Sequence, residues 1–140
     1  MTLLSDLQSF LGASHVLTGT DADTYVLDWR RRYRGVALAV IRPGSTEEVA
    51  AAVKLCARHG VPVVPQGGNT GLCGGATPDL SGSAVILSTT RLTAVRALDT
   101  DNDTITVEAG CVLQAVQEAA AAAGRLFPLS LAAEGSCTIG

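Results

Sequence analysis

The densest chemistry in the sequence lies in Pro65-Gln66-Gly67-Gly68-Asn69-Thr70-Gly71-Leu72-Cys73-Gly74-Gly75, five glycines in eleven residues directly after an apolar run. An ordinary turn needs one or two. So many glycines let successive backbone amides converge on one point and let a bulky group approach the main chain, which is how a nest of N–H groups holds an anion. Gln66, Asn69 and Thr70 add hydrogen-bonding side chains, so the segment reads as a ligand-contacting loop for a diphosphate rather than a flexible connection. Two familiar phosphate loops do not fit: G-x-x-x-x-G-K-[ST] requires a lysine that this loop lacks, and G-x-G-x-x-G does not occur at that spacing.

Other chemistry-bearing residues have plainer readings. Asp99, Asp101 and Asp103 imitate the start of a calcium loop, but its sixth position is Thr104 instead of glycine and its twelfth is Gly110 instead of glutamate. His15 and His59 are far apart, and His59 falls in the last turn of a helix, where an imidazole complements the dipole. Cys73 lies within the glycine loop, where free amides would favour a thiolate, yet it reads as a small loop filler, as does Cys137. Glu134 reads as an exposed loop carboxylate, Trp29 as a core anchor, and the cluster Arg30, Arg31, Arg32 and Arg34 as a solvated or salt-bridged turn.

These residues are positioned by a short series of elements. Leu3, Leu4, Leu7 and Leu11 recur at helical spacing before Gly12, and residues 21–26 suggest another helical turn. Residues 36–41 form an apolar, β-branched run that reads as a buried strand. Ser45-Thr46-Glu47-Glu48 is a capping box, with Ser45 accepting from the amide of Glu48 and the Glu48 carboxylate reaching back to the amide of Ser45, so a helix starts at Thr46. Its buried stripe is Val49, Ala52, Val53 and Cys56, and Gly60 ends it. A strand at 61–64 follows, making residues 36–64 a β-α-β unit with parallel pairing. Beyond the glycine loop come a strand at 84–88 and a hairpin of 93–98 with 104–109, in which Ile105, Val107 and Ala109 point inward. A helix at 112–123 is next, and then a small-residue tail, 125–140, suited to contacting a ligand. The class is α+β: a β-α-β unit with a small parallel sheet, then the start of a second, antiparallel-sheet subdomain.

The balance of 10 Lys+Arg against 13 Asp+Glu, with a net charge of −3 and Lys54 as the one lysine, argues against a nucleic-acid partner. An apolar share of 47% with 16% charged residues suffices for a core and argues against whole-chain disorder. No apolar stretch reaches the roughly 18 residues of a membrane span, and the amino terminus lacks a charged start followed by an apolar run, so a cytoplasmic protein is expected. The four cysteines show no C-x-x-C spacing and read as free thiols, and no metal site is signalled.

With these stretches in view, the sequence resembles the FAD-binding domain of the vanillyl-alcohol oxidase and p-cresol methylhydroxylase superfamily. It resembles in particular the branch of D-2-hydroxyglutarate dehydrogenase, D-lactate dehydrogenase and the glycolate oxidase flavin subunit. The resemblance rests on the glycine loop and three further stretches. Asp28-Trp29-Arg30 with Tyr33-Arg34-Gly35 matches the lead-in, and Arg42-Pro43 with Ser45-Thr46-Glu47-Glu48-Val49 matches the first crossover. Phe127-Pro128-Leu129 with Gly135-Ser136-Cys137-Thr138-Ile139-Gly140 matches the second flavin-contact segment. It implies an amino-terminal lead-in, 1–35, and an incomplete FAD-binding domain, 36–140, with the pyrophosphate loop at 65–75.

The resemblance further implies that Pro65, Gln66, Gly67, Gly68, Asn69, Thr70, Gly71, Leu72 and Gly74 hold the FAD diphosphate and ribityl region, and that Pro128, Gly135, Ser136, Thr138 and Gly140 lie along the flavin. Thr138 is then a hydrogen-bond donor to the cofactor. Asn69 stands where some members attach the flavin through a histidine, so noncovalent FAD is expected. The family motif continues past Gly140, which implies an amino-terminal fragment whose substrate-binding and catalytic groups, acting on a small 2-hydroxy acid, belong to the remainder of the parent polypeptide. Two other functions stay open: a noncatalytic module that binds no flavin by itself, and a subdomain for another diphosphate such as a nucleotide sugar.

Overall fold

The computed structural model describes residues 2–140. Its main sheet grows from the most apolar run in the chain. Strand β4 (Ala84–Ser88) is buried at every position and lies between β2 (Ala37–Ile41) and β3 (Val63–Gln66), parallel to both. The short β1 (Val16–Leu17) adds antiparallel to β2, giving the order β1-β2-β4-β3. The crossover from β2 to β3 therefore passes over the position β4 occupies. Direct parallel pairing of the strands flanking it, expected from sequence, does not occur, because the central slot shields both edges and both faces of the strand with most to bury.

Alternation along β2 and β4 divides the core. Ala39, Ile41, Val85 and Leu87 face helix α1 (Leu3–Leu11) and helix α2 (Thr46–Arg58), where they meet Leu3, Leu7, Leu11, Ala52 and Cys56. Val40 and Ile86 face the other way, onto Ala22 and Val26. The amino-terminal lead-in thus contributes to both sides of the core. Helix α1 starts from a cap that the sequence reading missed, since Thr2 and Ser5 exchange side-chain-to-backbone hydrogen bonds. The turn expected at 21–26 lies earlier, as a 3₁₀ turn over Gly19–Ala22.

Helix α2 begins at Thr46, with Ser45 accepting from the Glu48 amide at 3.2 Å. Its Glu48 carboxylate accepts from the amide of Gly44 at 2.6 Å, one residue before the expected partner Ser45. Val53, expected in the buried stripe, is 41% exposed. At 100° per residue it falls off the line through Val49, Ala52 and Cys56, which face the sheet. Burial pushes the Cys56 thiol up, away from thiolate.

The second sheet is the hairpin β5 (Val95–Asp99) with β6 (Thr104–Val107). Asp99 organises its turn by accepting from the amides of Asp101 and Asn102, while Asp103 adopts a φ of 53° and pairs with Arg125. These local bonds account for the aspartate cluster. Ile105, Val107 and Ala109, expected to point inward, are only half-buried. Helix α3 (Leu113–Ala122) buries Leu113, Val116 and Ala120. No helix among the described residues is long and apolar enough to cross a membrane.

Candidate functional site

The glycine loop leaves the carboxyl end of β3, an edge strand of the parallel sheet, at the end where open α/β sheets bind ligands. Its base is closed by Gln66, which is 3% exposed. The Gln66 Nε2 donates to the carbonyls of Tyr25 at 2.8 Å and Ala76 at 2.9 Å. Gln66 therefore cinches the two ends of the loop and ties them to the lead-in. Pro65 is exposed on β3, opposite Leu87 in the register.

The glycines divide by what surrounds them. A Cβ on Gly67 would lie 2.0 Å from Thr138 Oγ1, and one on Gly68 would lie 1.9 Å from the carbonyl oxygen of Ser136. These two positions are glycine because the tail segment crosses directly over them. The Gly68 amide donates to Thr138 Oγ1 at 3.2 Å, and that hydroxyl donates to the Gly140 carbonyl at 2.9 Å. The Thr138 proton, expected to reach a cofactor, is thus directed at the backbone. Gly74 has a φ of 77° and lies against the ring of Tyr33, 3.0 Å from where its Cβ would be.

Gly71 and Gly75 differ from these: neither has a positive φ, and a Cβ on either would meet no atom within 4 Å. Nothing inside the protein requires glycine there. The amides of residues 69–75 donate to no acceptor among the described residues, so this part of the loop presents a run of N–H groups without an internal partner. Leu72 and Cys73 are exposed at its tip.

The lead-in forms the back of this cradle. Asn69, at a φ of 52°, donates from Nδ2 to the carbonyl of Leu27 at 2.9 Å. Asp28, only 4% exposed, accepts from the amides of Tyr33 (2.7 Å), Arg32 (2.6 Å) and Arg30 (3.2 Å). The bond from Tyr33, with those from Arg30 and Arg32 added, holds the Asp28 carboxyl below the usual range against the opposing effect of burial. This turn was not recognised as part of the site from sequence, although an aspartate heading a polar run is a turn former. Trp29 is 66% exposed and anchors no core, contrary to expectation. With Thr24, Leu27, Arg31, Gly68 and Asn69 it borders a cleft of about 490 Å³. A larger hollow of about 580 Å³ lies on α1 and α2, away from the loop.

The second predicted segment is only partly brought here. Residues 136–140 run antiparallel along residues 109–113, which lead into α3, with Ile139 donating to Cys111 and Gly140 to Ala109, and they cover Gly67 and Gly68. Gly135 has only the Gln114 side chain near it. Pro128 lies beside α3, in a hollow with Gln117, Phe127 and Leu129 that no loop residue lines. The histidines lie elsewhere: His59 closes α2, 3.6 Å from Asp6, and His15 precedes β1.

Residues 37–140 match the family model described as FAD binding domain. The chain belongs to this FAD binding domain family. FAD is its cofactor, and unpaired backbone amides such as those of residues 69–75 are the kind of donor a diphosphate accepts from. Over 120 residues the domain is 42% identical to a D-2-hydroxyglutarate dehydrogenase of Xanthomonas citri pv. viticola, covering 86% of this chain and 25% of that protein. It is 40% identical over 114 residues to the mitochondrial D-2-hydroxyglutarate dehydrogenase of Bos taurus, covering 81% of this chain and 21% of that protein. The domain thus spans about a quarter of the length of these relatives. Its fold is that of p-cresol methylhydroxylase, with a TM-score of 0.75 at 22% identity, over 96% of this chain and 26% of that one. The α+β class and the resemblance read from sequence both stand. The cytoplasmic expectation is corrected: the bovine relative is named mitochondrial, as are several others, and an amino-terminal pattern says little about location in a chain that spans so small a part of its relatives.

Proposed function

We propose that this FAD binding domain holds the FAD diphosphate on the free amides of residues 69–75, as the cofactor-binding part of an FAD-linked dehydrogenase that oxidises a D-2-hydroxy acid. The observation that carries the reading is the pair Gly71 and Gly75, which face open space beside unpaired amides with no backbone strain to explain them. The names of the relatives support the substrate class.

In this reading each residue has a limited task. Gln66 fixes the loop ends, while Gly67 and Gly68 admit the tail. Asn69, Thr70, Gly71, Leu72 and Gly74 offer amides to the diphosphate, and Gly135, Ser136 and Gly140 border the ring system farther along. Asn69 Nδ2 is engaged by the Leu27 carbonyl and an amide is no nucleophile, so Asn69 offers no point of covalent attachment, in keeping with a noncovalently held cofactor. Bound FAD supplies a two-electron acceptor for oxidising the alcohol. The groups that bind the hydroxy acid and take its hydroxyl proton belong to the part of the relatives' length that this chain does not span, and the domain alone is inactive.

The test is a thermal melt of the chain with FAD, ADP or a UDP-sugar. At a hundredfold excess over Kd, linkage adds about 2.7 kcal/mol, a shift of several degrees for a domain of this size. A shift with FAD that the UDP-sugar does not reproduce supports the proposal. A shift with the UDP-sugar alone favours a nucleotide-sugar site, and no shift with any of them favours a module that binds no flavin by itself.

A further inference from the structure

We propose that Asp28 is a positioning residue for the diphosphate loop, holding the lead-in turn that fixes Asn69 and Gly74 in their binding conformations. The inference rests on the reading of residues 69–75 as the diphosphate site and adds to it a residue outside the loop. Asp28 is buried, and it accepts three backbone N–H groups, from Arg30, Arg32 and Tyr33. These bonds close a tight turn in which Arg31 takes a φ of 57°, a conformation that an arginine adopts only when its surroundings impose it. A second layer holds the turn shut, since the Asp28 amide donates to the Tyr33 carbonyl at 3.0 Å and Leu27 bridges to Arg34.

The turn touches the loop at two points. The Leu27 carbonyl, adjacent to Asp28, accepts from Asn69 Nδ2 at 2.9 Å and so helps hold Asn69 at a φ of 52°. The Tyr33 ring, whose amide is one of the Asp28 donors, lies beneath Gly74 at the other side of the cradle. Asn69 and Gly74 lie near the two ends of the run of free amides. One carboxylate thus sets both supports of a segment, residues 69–75, whose amides make no hydrogen bonds within the described residues. Such a loop is costly to order on binding unless something outside it has already fixed its ends. A purely structural Asp28 would stabilise the turn without altering the loop; a positioning Asp28 alters the loop through Leu27 and Tyr33.

The experiment uses the full chain with Asp28→Asn, whose amide places a second donor against backbone donors, and Asn69→Gly, which tolerates the positive φ but removes the brace. Leu7→Ala, in the core between α1 and the sheet, serves as a destabilised control remote from the loop. FAD affinity is titrated well below each variant's Tm, and ¹⁵N–¹H spectra of the FAD-free proteins report the amides of residues 69–75. The expectation is that Asp28→Asn and Asn69→Gly each weaken FAD by roughly tenfold. The pair together falls well short of a hundredfold, because the two lie on one path of contact. The loop resonances move in Asp28→Asn and stay in place in Leu7→Ala. Should Asp28→Asn not fold, Asp28→Ser, which keeps one short acceptor, takes its place. Unchanged loop resonances in the folded Asp28 variant overturn the inference, as does a fully additive double variant. A wild-type chain that binds no FAD sinks the diphosphate reading instead, and the loop resonances then decide the role of Asp28 by themselves.

Discussion

Gly71→Ala separates the demands of a ligand from the demands of the fold. The added methyl meets no protein atom within 4 Å, and the backbone there has no positive φ. Without FAD the substitution therefore costs nothing sterically and restricts the unfolded chain, a gain of about 0.4–1 kcal/mol that raises Tm by a few degrees at most. With FAD the same methyl occupies space assigned to the diphosphate. Forcing one carbon into a filled contact costs about 1–3 kcal/mol, which corresponds to a roughly fivefold to 150-fold rise in Kd. The assay is a pair of measurements on the same protein: a melt without ligand and a flavin fluorescence titration at fixed temperature. Gly71→Ala should be at least as stable as wild type and bind FAD more weakly. A variant that binds FAD as well as wild type refutes the reasoning, because it shows that the open space is not where the cofactor lies.

Gly68→Ala should behave in the opposite way without ligand, since its Cβ would fall 1.9 Å from the Ser136 carbonyl oxygen; a loss of about 1–3 kcal/mol is expected in a denaturant titration, and an unchanged midpoint counts against the packing of the tail over the loop. Acid should destabilise the domain through Asp28, Asp79, Asp99, Glu47 and Glu108, whose carboxyls hydrogen bonds hold below their ordinary values of 3.8 for Asp and 4.5 for Glu. Their folded pKa values lie below the unfolded ones, so their contribution is complete above the ordinary values and is lost as pH falls through the folded values. Tm measured from neutral pH downward should hold its level until the pH nears 4.5 and then decline, and Asp28→Asn should show a shallower decline than wild type.

Sequence patterns revealed the parts of this fold that depend on local chemistry. The apolar run at 36–41, the Ser45 cap and Gly60 with its φ of 65° each carry their own signal, and each lies where it was expected to within a residue or so. What the pattern did not carry is competition between elements. Strand β4 takes the central slot because every one of its side chains is buried, and no spacing within 36–64 reports a strand that arrives twenty residues later. Trp29 shows the same limit from the other side: a lone tryptophan suggests a core, but the turn organised by Asp28 carries it outward.

The site was legible as a loop but not as a set of roles. Spacing gives the same weight to Gly67, Gly68, Gly71, Gly74 and Gly75, although three different physical causes are at work. Contact with the tail explains Gly67 and Gly68, and a positive φ with an aromatic neighbour explains Gly74. Only after these are subtracted do Gly71 and Gly75 emerge as positions whose lack of a side chain serves nothing in the protein. The polar side chains follow the same logic in reverse. Gln66 and Asn69 looked like ligand contacts because they sit among the glycines, yet both spend their amide donors on carbonyls of the protein itself. The groups left to meet an anion are backbone amides, which the sequence encodes only as the absence of competing acceptors. On the proposed reading, backbone dipoles carry most of the hold on the diphosphate, in a domain with a net charge of −3 whose Arg31 borders the cleft beside Gly68 and Asn69. Affinity for FAD should accordingly decline much less between low and moderate salt than it would if the diphosphate were neutralised by exposed arginines.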